Sequence, residues 1–214
     1  MAIYSLTVAD LEAMDNEARA RLINCLPGYK SAMLVGTCDV DKSTNLAIIS
    51  SHFHLGSKPP LLAMVLRPDT GHSERHTLSN ILETESWTLN AFTLDEAAQA
   101  HQTSAPYPKT QSEFDACGFI EDWKHSSPAP FVASSPLQVA CALREHQRLE
   151  INGTHMVIGE VTTLHYPGEA LREDGALSLD RLGLVAISGL DTYTQPDAGI
   201  SFRSASTDTH PTPL

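Results

Sequence analysis

The sequence is short of basic residues. It has 14 lysines and arginines against 26 aspartates and glutamates in 214 residues, so its formal net charge is −12 at pH 7. An acidic surface repels nucleic acid and anionic membrane surfaces, so we expect neither as a partner. No apolar run reaches the roughly 18 residues of a membrane-spanning helix, and the N-terminus MAIYSLTVADLEAM lacks the basic and apolar regions of a secretory signal. We therefore expect a cytoplasmic protein that contacts no membrane.

Disulfide and metal patterns are also missing. The four cysteines are widely spaced and form no CxxC pair, which is typical of reduced thiols. His72 and His76 are four residues apart and could grip a metal from one side of a helix, but a supporting carboxylate is not obvious. No metal site is predicted.

The common nucleotide and hydrolase motifs do not occur. There is no GxGxxG, no GxxxxGK[ST] and no GxSxG, and no Ser-His-Asp or Cys-His pairing can be identified. Any nucleotide-like ligand must therefore be held by a less familiar arrangement of donors.

The hydrophobic pattern predicts a mainly β protein with short helices. A helix that Thr7 can cap is expected at about residues 7–22, and Ser112 is expected to open a later short helix. About seven strands are expected, mostly in antiparallel hairpins: SAMLVGTCDV and TNLAIISSHFHL form the first, and the Asn152–Gly153 turn joins two late strands. In the strand SWTLNAFT, Trp87 and Leu89 share one face, and Thr88 and Asn90 share the other. One predicted strand is the whole run TNLAIISSHFHL. Strands and long helices do not alternate, so we expect a closed or nearly closed antiparallel barrel with helical insertions. We predict one domain over 1–195, and a tail over 196–214 that is loose or contacts a partner.

Two polar segments flank the third predicted strand. In NLAIISSHFH an apolar strand ends in Ser50, Ser51 and His52, whose hydroxyls and backbone amides suit an anion. The alternative is a serine-rich turn solvated at the sheet edge.

The second segment is LRPDTGHSERHTLSNI, residues 66–81. Arg75 and His76 precede Thr77, which is expected to cap a helix starting at Leu78, and Arg67 could reach the same region. A helix N-terminus with a guanidinium beside it suits a phosphate. The alternative is a capped surface helix with a solvated arginine. Two such segments within 30 residues favour one joint phosphate site.

A third polar cluster comprises Asn90, on the polar face of a strand, and the stretch His101–Ser104 after a helix. These side chains could contact the edge of a heteroaromatic ring, or could equally serve as caps and loop polars.

The ordered runs LVGTCDVDKSTNLAIISSHFHLGSKPPLLAMVLRP, RHTLSNI, WTLN, AHQTSAPYPKTQSEFDACGF, APFVASSPLQ, INGTHMVIGEV and ISGLDTY resemble the flavin reductase-like family, which includes flavoredoxin. The resemblance covers roughly residues 25–195. It implies an antiparallel FMN-binding split β-barrel, a homodimer, and FMN held non-covalently near the subunit interface. PGYK stands where many members have Pro-Arg-Pro.

By this resemblance the cofactor is FMN and NAD(P)H is the co-substrate, whose hydride passes through the bound flavin. The residues carried over as cofactor-binding are Asn45, Ser50, Ser51, His52, Arg67, Arg75, His76, Thr77, Asn80, Asn90, His101, Gln102 and Ser104. Three functions remain open. The protein could be an NAD(P)H:flavin reductase, a non-catalytic FMN-binding electron carrier or storage protein, or a relative that uses FMN on another small substrate.

Overall fold

The chain forms a curved antiparallel sheet with short helices around it. The structure is a computed structural model that describes residues 3–69 and 76–213. The α-helices are α1 (Val8–Ala13), α2 (Asn16–Cys25), α3 (His76–Thr84), α4 (Ala97–Gln102) and α5 (Glu113–Cys117), with 3₁₀ turns at Leu94–Glu96 and Gly168–Ala170. The strands are β1 (Lys30–Ser31), β2 (Met33–Cys38), β3 (Thr44–Ile49), β4 (His52–Ser57), β5 (Pro60–Leu66), β6 (Ser86–Ala91), β7 (Glu121–Asp122), β8 (Phe131–Val132), β9 (Gln138–Arg148), β10 (His155–His165), β11 (Ala186–Ser188) and β12 (Thr192–Thr194).

The main sheet has seven strands in the order β3-β2-β6-β9-β10-β5-β4. Its two edge strands, β3 and β4, are joined in sequence only by Ser50 and Ser51. Such a connection spans at most about 11 Å, so the sheet must wrap round until its edges approach each other. No ladder joins β3 to β4 in the described part of the chain, so the barrel has an open seam there instead of being closed.

The strand predicted from TNLAIISSHFHL is two strands. β3 ends at Ile49 and β4 begins at His52, and β4 pairs with β5 while β3 pairs with β2. The β2–β3 hairpin is confirmed. Alternation of side chains could not reveal the break, because serine is compatible with both a strand and a turn.

The predicted N-terminal helix is two helices. Thr7 caps α1 as expected, because its hydroxyl accepts from the Asp10 N–H at 3.3 Å. Asp15 then caps α2 and accepts from the N–H groups of Glu17 and Ala18. A cap residue has a non-helical backbone, so Asp15 divides the segment. Neither helix has a buried residue.

The core consists of two apolar clusters on opposite faces of the sheet. On β6, Trp87 and Leu89 face the cluster inside the barrel, while Thr88 and Asn90 lie on the other face, as the alternation predicted. Trp87 packs so closely on β10 that a Cβ at Gly159 would lie 2.2 Å from its ring. The outer cluster packs β2 and β3 against α4 and α5, with these buried members: Leu34, Leu46, Phe92, Ala100, Phe114, Phe119 and Val132.

The late part of the chain completes the sheet. The hairpin of β9 and β10 is confirmed, and Gly153 takes the positive φ of +73° that its turn requires. Most residues after Thr194 are exposed.

No helix in the described ranges is long and apolar enough to cross a membrane.

Candidate functional site

An open cavity, here called the edge cavity, runs along β3, an edge strand of the main sheet. Its volume is about 1150 Å³, including the space at its mouth. The predicted site residues that line it are Asn45, Ser50, Ser51, Arg67, His76, Thr77 and Ser104. Its apolar lining includes Val35, Ala47, Ile49, Val65, Leu66, Leu78 and Pro106. The structure thus brings the two predicted anion-binding segments to one cavity.

Side chains from α5 and from the end of α4 accept hydrogen bonds from backbone N–H groups on the outer edge of β3. The Glu113 carboxylate accepts from the Leu46 N–H at 3.0 Å, and the Thr103 hydroxyl accepts from the Ile48 N–H at 2.9 Å. Alternate residues of an edge strand present their backbone groups outward, so Ser50 is next in this series. Its N–H and hydroxyl have no recorded partner in the described ranges.

Glu113 is a site residue that sequence reasoning missed. It lines the cavity, is 6 % exposed, and lies 67 residues from its partner Leu46. Burial raises the pKa of Glu113, while the Leu46 N–H and the charge of His76 act to lower it. The Ser112 cap predicted the start of α5 correctly, but no local pattern links that helix to β3.

At the opposite end from Ser50, a buried polar network ties α3 to the sheet. The Asn45 amide donates to the Thr77 hydroxyl at 3.0 Å and to the Thr37 hydroxyl at 3.4 Å, and the Asn80 amide donates to Thr37 at 3.1 Å. Thr77 lies inside the first turn of α3, which includes His76, so the expectation that it caps a helix starting at Leu78 is wrong. Thr77 still lines the cavity.

A smaller polar pocket, here called the inner pocket, adjoins this end. Its volume is about 230 Å³, and it shares Asn45, His76 and Glu113 with the edge cavity. Asn80 lines it, and the amide oxygen of Asn80 is buried with no partner within residues 3–69 and 76–213. Lys109 also lines it, and its ammonium lies 3.2 Å from the Asp39 carboxylate. Polar groups therefore continue beyond the α3 end of the edge cavity.

The Ser50 end is fixed by bonds to β5. The Val65 N–H donates to the Ser51 carbonyl at 2.8 Å, and the Ser51 hydroxyl donates to the Val65 carbonyl at 2.7 Å. Arg67 follows Val65 by two residues and also lines the cavity. Five residues of strand separate Ser50 from Asn45, about 16 Å at the rise of an extended chain. Thr77 is bonded to Asn45, so Ser50 and Thr77 share a cavity but cannot both contact one phosphate.

Three predicted site residues lie elsewhere. Asn90 is fully buried; its amide donates to Thr88 and Leu34, and its carbonyl accepts from the Val132 N–H at 3.0 Å. The His101 ring bonds the Tyr193 hydroxyl at 2.8 Å, and Gln102 donates to the Tyr107 hydroxyl at 3.0 Å. A polar residue on a strand face or helix end gives the same sequence signal whether it bonds the protein or a ligand.

Of the remaining two, His52 starts β4 outside the cavity lining, and Arg75 lies outside the described residues. The His52 ring bonds the Ser31 hydroxyl at 2.9 Å, and burial lowers its pKa to about 4. No three histidine, cysteine, aspartate or glutamate side chains in the described ranges are grouped to hold a metal ion.

The sequence and the structure were compared with known proteins. Residues 27–185 match the family described as flavin reductase like domain. A split-barrel protein from Shewanella frigidimarina NCIMB 400, assigned as a flavin reductase, is 42 % identical, with a TM-score of 0.90 over 94 % of this chain and 100 % of the other. Component B of nitrilotriacetate monooxygenase from Bacillus cereus has a TM-score of 0.81 at 17 % identity, over 94 % and 99 % of the two chains. Flavoredoxin of Desulfovibrio vulgaris (Miyazaki F) has 0.71 at 20 % identity, over 85 % and 94 %.

Proposed function

The chain belongs to the flavin reductase-like family, and from that premise we propose that it is an FMN-dependent oxidoreductase that takes hydride from NADH or NADPH. The family and its oxidoreductase neighbours support a flavin oxidoreductase in general. The observation that carries the specific proposal is the edge cavity, which joins an apolar wall to the donors at the start of α3.

The lining of the edge cavity fits a flavin mononucleotide. A flavin ring is flat and largely apolar, and Ala47, Ile49, Val65 and Leu66 offer a wall of that character. The phosphate needs donors and positive potential, which the first turn of α3 supplies through the positive end of its dipole, its backbone N–H groups and the Thr77 hydroxyl. We therefore propose the ring along β3 towards Ser50 and the phosphate at the α3 end.

The bound flavin would supply the hydride acceptor, and the protein's own residues would bind and orient it. Glu113 and Thr103 accept hydrogen bonds from the backbone N–H groups at the edge of β3, so these groups do not pair with another strand. That leaves the Ser50 N–H and hydroxyl as donors beside the ring. Hydride transfer needs no proton-transferring triad, in keeping with the absence of one in the sequence.

The first experiment measures flavin binding and reduction. We expect the purified protein to bind FMN, which a fluorescence titration would detect, and to oxidise NADH or NADPH when loaded. Flavin that bleaches with dithionite but with neither nicotinamide would leave an electron carrier or storage protein. No flavin binding at all would refute the proposal.

A variant tests the phosphate position. Thr77→Ala removes a neutral donor, so it should weaken FMN binding by about 1 kcal/mol, roughly fivefold in Kd. Ser79→Ala is the matched control, because Ser79 is exposed on the same helix and its hydroxyl donates to the His76 carbonyl at 3.0 Å. Equal FMN affinity in both variants would place the phosphate elsewhere.

We also propose that the protein is a cytoplasmic homodimer. The edge strand β4 exposes the apolar side chains Phe53, 44 % exposed, and Leu55, 46 % exposed, and exposed edge strands with apolar residues tend to associate. Light scattering should give twice the chain mass of 23.2 kDa. A monomer at micromolar concentration would contradict this part of the proposal.

A further inference from the structure

Two histidines meet near the turn that joins β9 to β10. His155 pairs with Arg148 and Val157 pairs with His146, so the two histidines are diagonal neighbours on one face of the hairpin. Val157 belongs to the cluster inside the barrel, and alternation along β10 puts His155 on that same face. This histidine pair therefore extends the inner face of the sheet beyond the core, where both residues are partly exposed.

The two imidazole rings contact each other through nitrogen. His146 Nε2 and His155 Nδ1 are 2.8 Å apart, and the ring planes differ by 14° with centroids 5.1 Å apart, so the rings meet at their edges. In the neutral pair one of these nitrogens donates its N–H and the other accepts with its lone pair. If the shared proton moves to the far nitrogen of the donor ring, both facing lone pairs become free and no proton is released.

The spacing of the two nitrogens suits two ligands of one metal ion. Nitrogens that bind a metal at about 2.0–2.1 Å lie roughly 2.9 Å apart at a right angle and roughly 3.3 Å apart at the tetrahedral angle. The facing nitrogens are already close to these separations, so rotation of the rings is enough to aim both lone pairs at one ion. The ladder between β9 and β10 holds both backbones in register, which limits the freedom that is lost on binding.

The charges around the pair are mixed. Burial is the main cause that lowers the pKa of His155, and the charges of His146 and Arg148 act in the same direction, whereas the Asp69 carboxylate acts to raise it. Asp69 is thus within electrostatic range of the pair and attracts a cation, which Arg148 repels. The formal net charge of −12 also favours the approach of a cation.

We propose that His146 and His155 together bind a divalent transition-metal ion, with Cu²⁺ held more tightly than Ni²⁺ or Zn²⁺. Imidazole nitrogen suits these ions, whereas Mg²⁺ and Ca²⁺ prefer oxygen ligands. Water completes the coordination, because the described ranges contain no group of three histidine, cysteine, aspartate or glutamate side chains that could hold a metal. The inference does not depend on flavin binding, and the ion would tie β9 to β10 beside their turn.

The test uses the full chain, purified without a histidine tag. Calorimetry would measure the Kd of Cu²⁺, Ni²⁺, Zn²⁺ and Mg²⁺ for the wild type, for His146→Gln, for His155→Gln and for the double variant. Electron paramagnetic resonance of the Cu²⁺-loaded wild type counts the nitrogen ligands. His125→Gln is the matched control, because it removes an exposed histidine from another part of the chain.

We expect the Cu²⁺ signal of the wild type to be split by two nitrogens. Each single substitution should weaken Cu²⁺ binding at least about tenfold, because the second imidazole then no longer acts at high effective concentration. The double variant should bind little more weakly than either single variant, since one ligand of a chelating pair contributes little alone. Zn²⁺ should raise the Tm of the wild type and of His125→Gln but not of the other variants, and Mg²⁺ should not bind.

Four results would overturn the inference. A wild-type Cu²⁺ signal with fewer than two nitrogens would show that the pair does not chelate, even if the variants fail to fold. An unchanged Kd in both single variants would place the bound ion elsewhere, and so would an equal loss in His125→Gln. Losses that add up in the double variant would show two independent surface histidines instead of one site.

Discussion

Replacement of Glu113 tests how the edge of β3 is kept in place. This side chain is 6 % exposed, and its carboxylate accepts the Leu46 N–H at 3.0 Å. Glu113→Ala leaves that N–H buried without an acceptor, which costs about 1–3 kcal/mol. Since 1 kcal/mol moves Tm by about 2–4 °C in a domain of this size, we expect Tm to fall by about 3–10 °C. Glu113→Gln keeps an acceptor oxygen and should be the more stable variant.

The pH dependence of the same variants tests the burial of the carboxylate. Burial raises the folded-state pKa of Glu113 above its ordinary value of 4.5. At a pH between the ordinary and the raised pKa, the folded protein binds more protons than the unfolded chain. The free energy of unfolding of the wild type therefore falls as pH rises from the ordinary to the raised pKa, and is level above the raised pKa. Glu113→Gln cannot titrate, so its stability relative to the wild type should increase over the same window.

The assay is urea unfolding of the apo proteins between pH 4 and 8, with Asp115→Asn as control. Asp115 is exposed on the same helix, so its loss of charge should leave both stability and pH slope nearly unchanged. Equal stabilities of the alanine and glutamine variants would refute the role of the Leu46 bond. Parallel pH profiles for wild type and Glu113→Gln would refute the desolvation of the carboxylate.

Three further substitutions test other parts of the structure. Gly159→Ala would place its Cβ 2.2 Å from the Trp87 ring and should lose about 1–3 kcal/mol by overpacking; an unchanged urea midpoint would contradict this. Asn90→Ala leaves the Val132 N–H unpaired and should cost about 1–3 kcal/mol without changing the FMN Kd, whereas weaker FMN binding at unchanged stability would return Asn90 to the cofactor site. Burial lowers the pKa of His52 from 6.5 to about 4, so the wild type should lose about 3 kcal/mol as pH falls through that range, because the unfolded chain takes up the proton first. His52→Gln should remove that slope, and equal slopes would show that His52 is solvated.

Local residue chemistry predicted much of the architecture. Thr7 and Ser112 begin helices as capping residues, and Asn152–Gly153 forms the tight turn of the β9–β10 hairpin. Each of these features depends on contacts between residues that are close in sequence, so the rest of the fold does not change it. The errors occurred where a local signal was ambiguous. Asp15 could lie within one long helix or cap a second one, and the serine pair after Ile49 is compatible with a strand or a turn.

Residue patterns along the chain are enough to predict that strands dominate, that they pair antiparallel, and that the polar segments flanking β5 both suit an anion. The distance between those two segments follows only from the folded arrangement of the strands. Ser50 and Thr77 are placed at two ends of one cavity because β3 runs between them and Asn45 holds the helix at its far end. Likewise, only the wrapped sheet brings Glu113 to Leu46. Alternation and capping depend on near neighbours, whereas such contacts depend on the path of the whole chain, which no short pattern records.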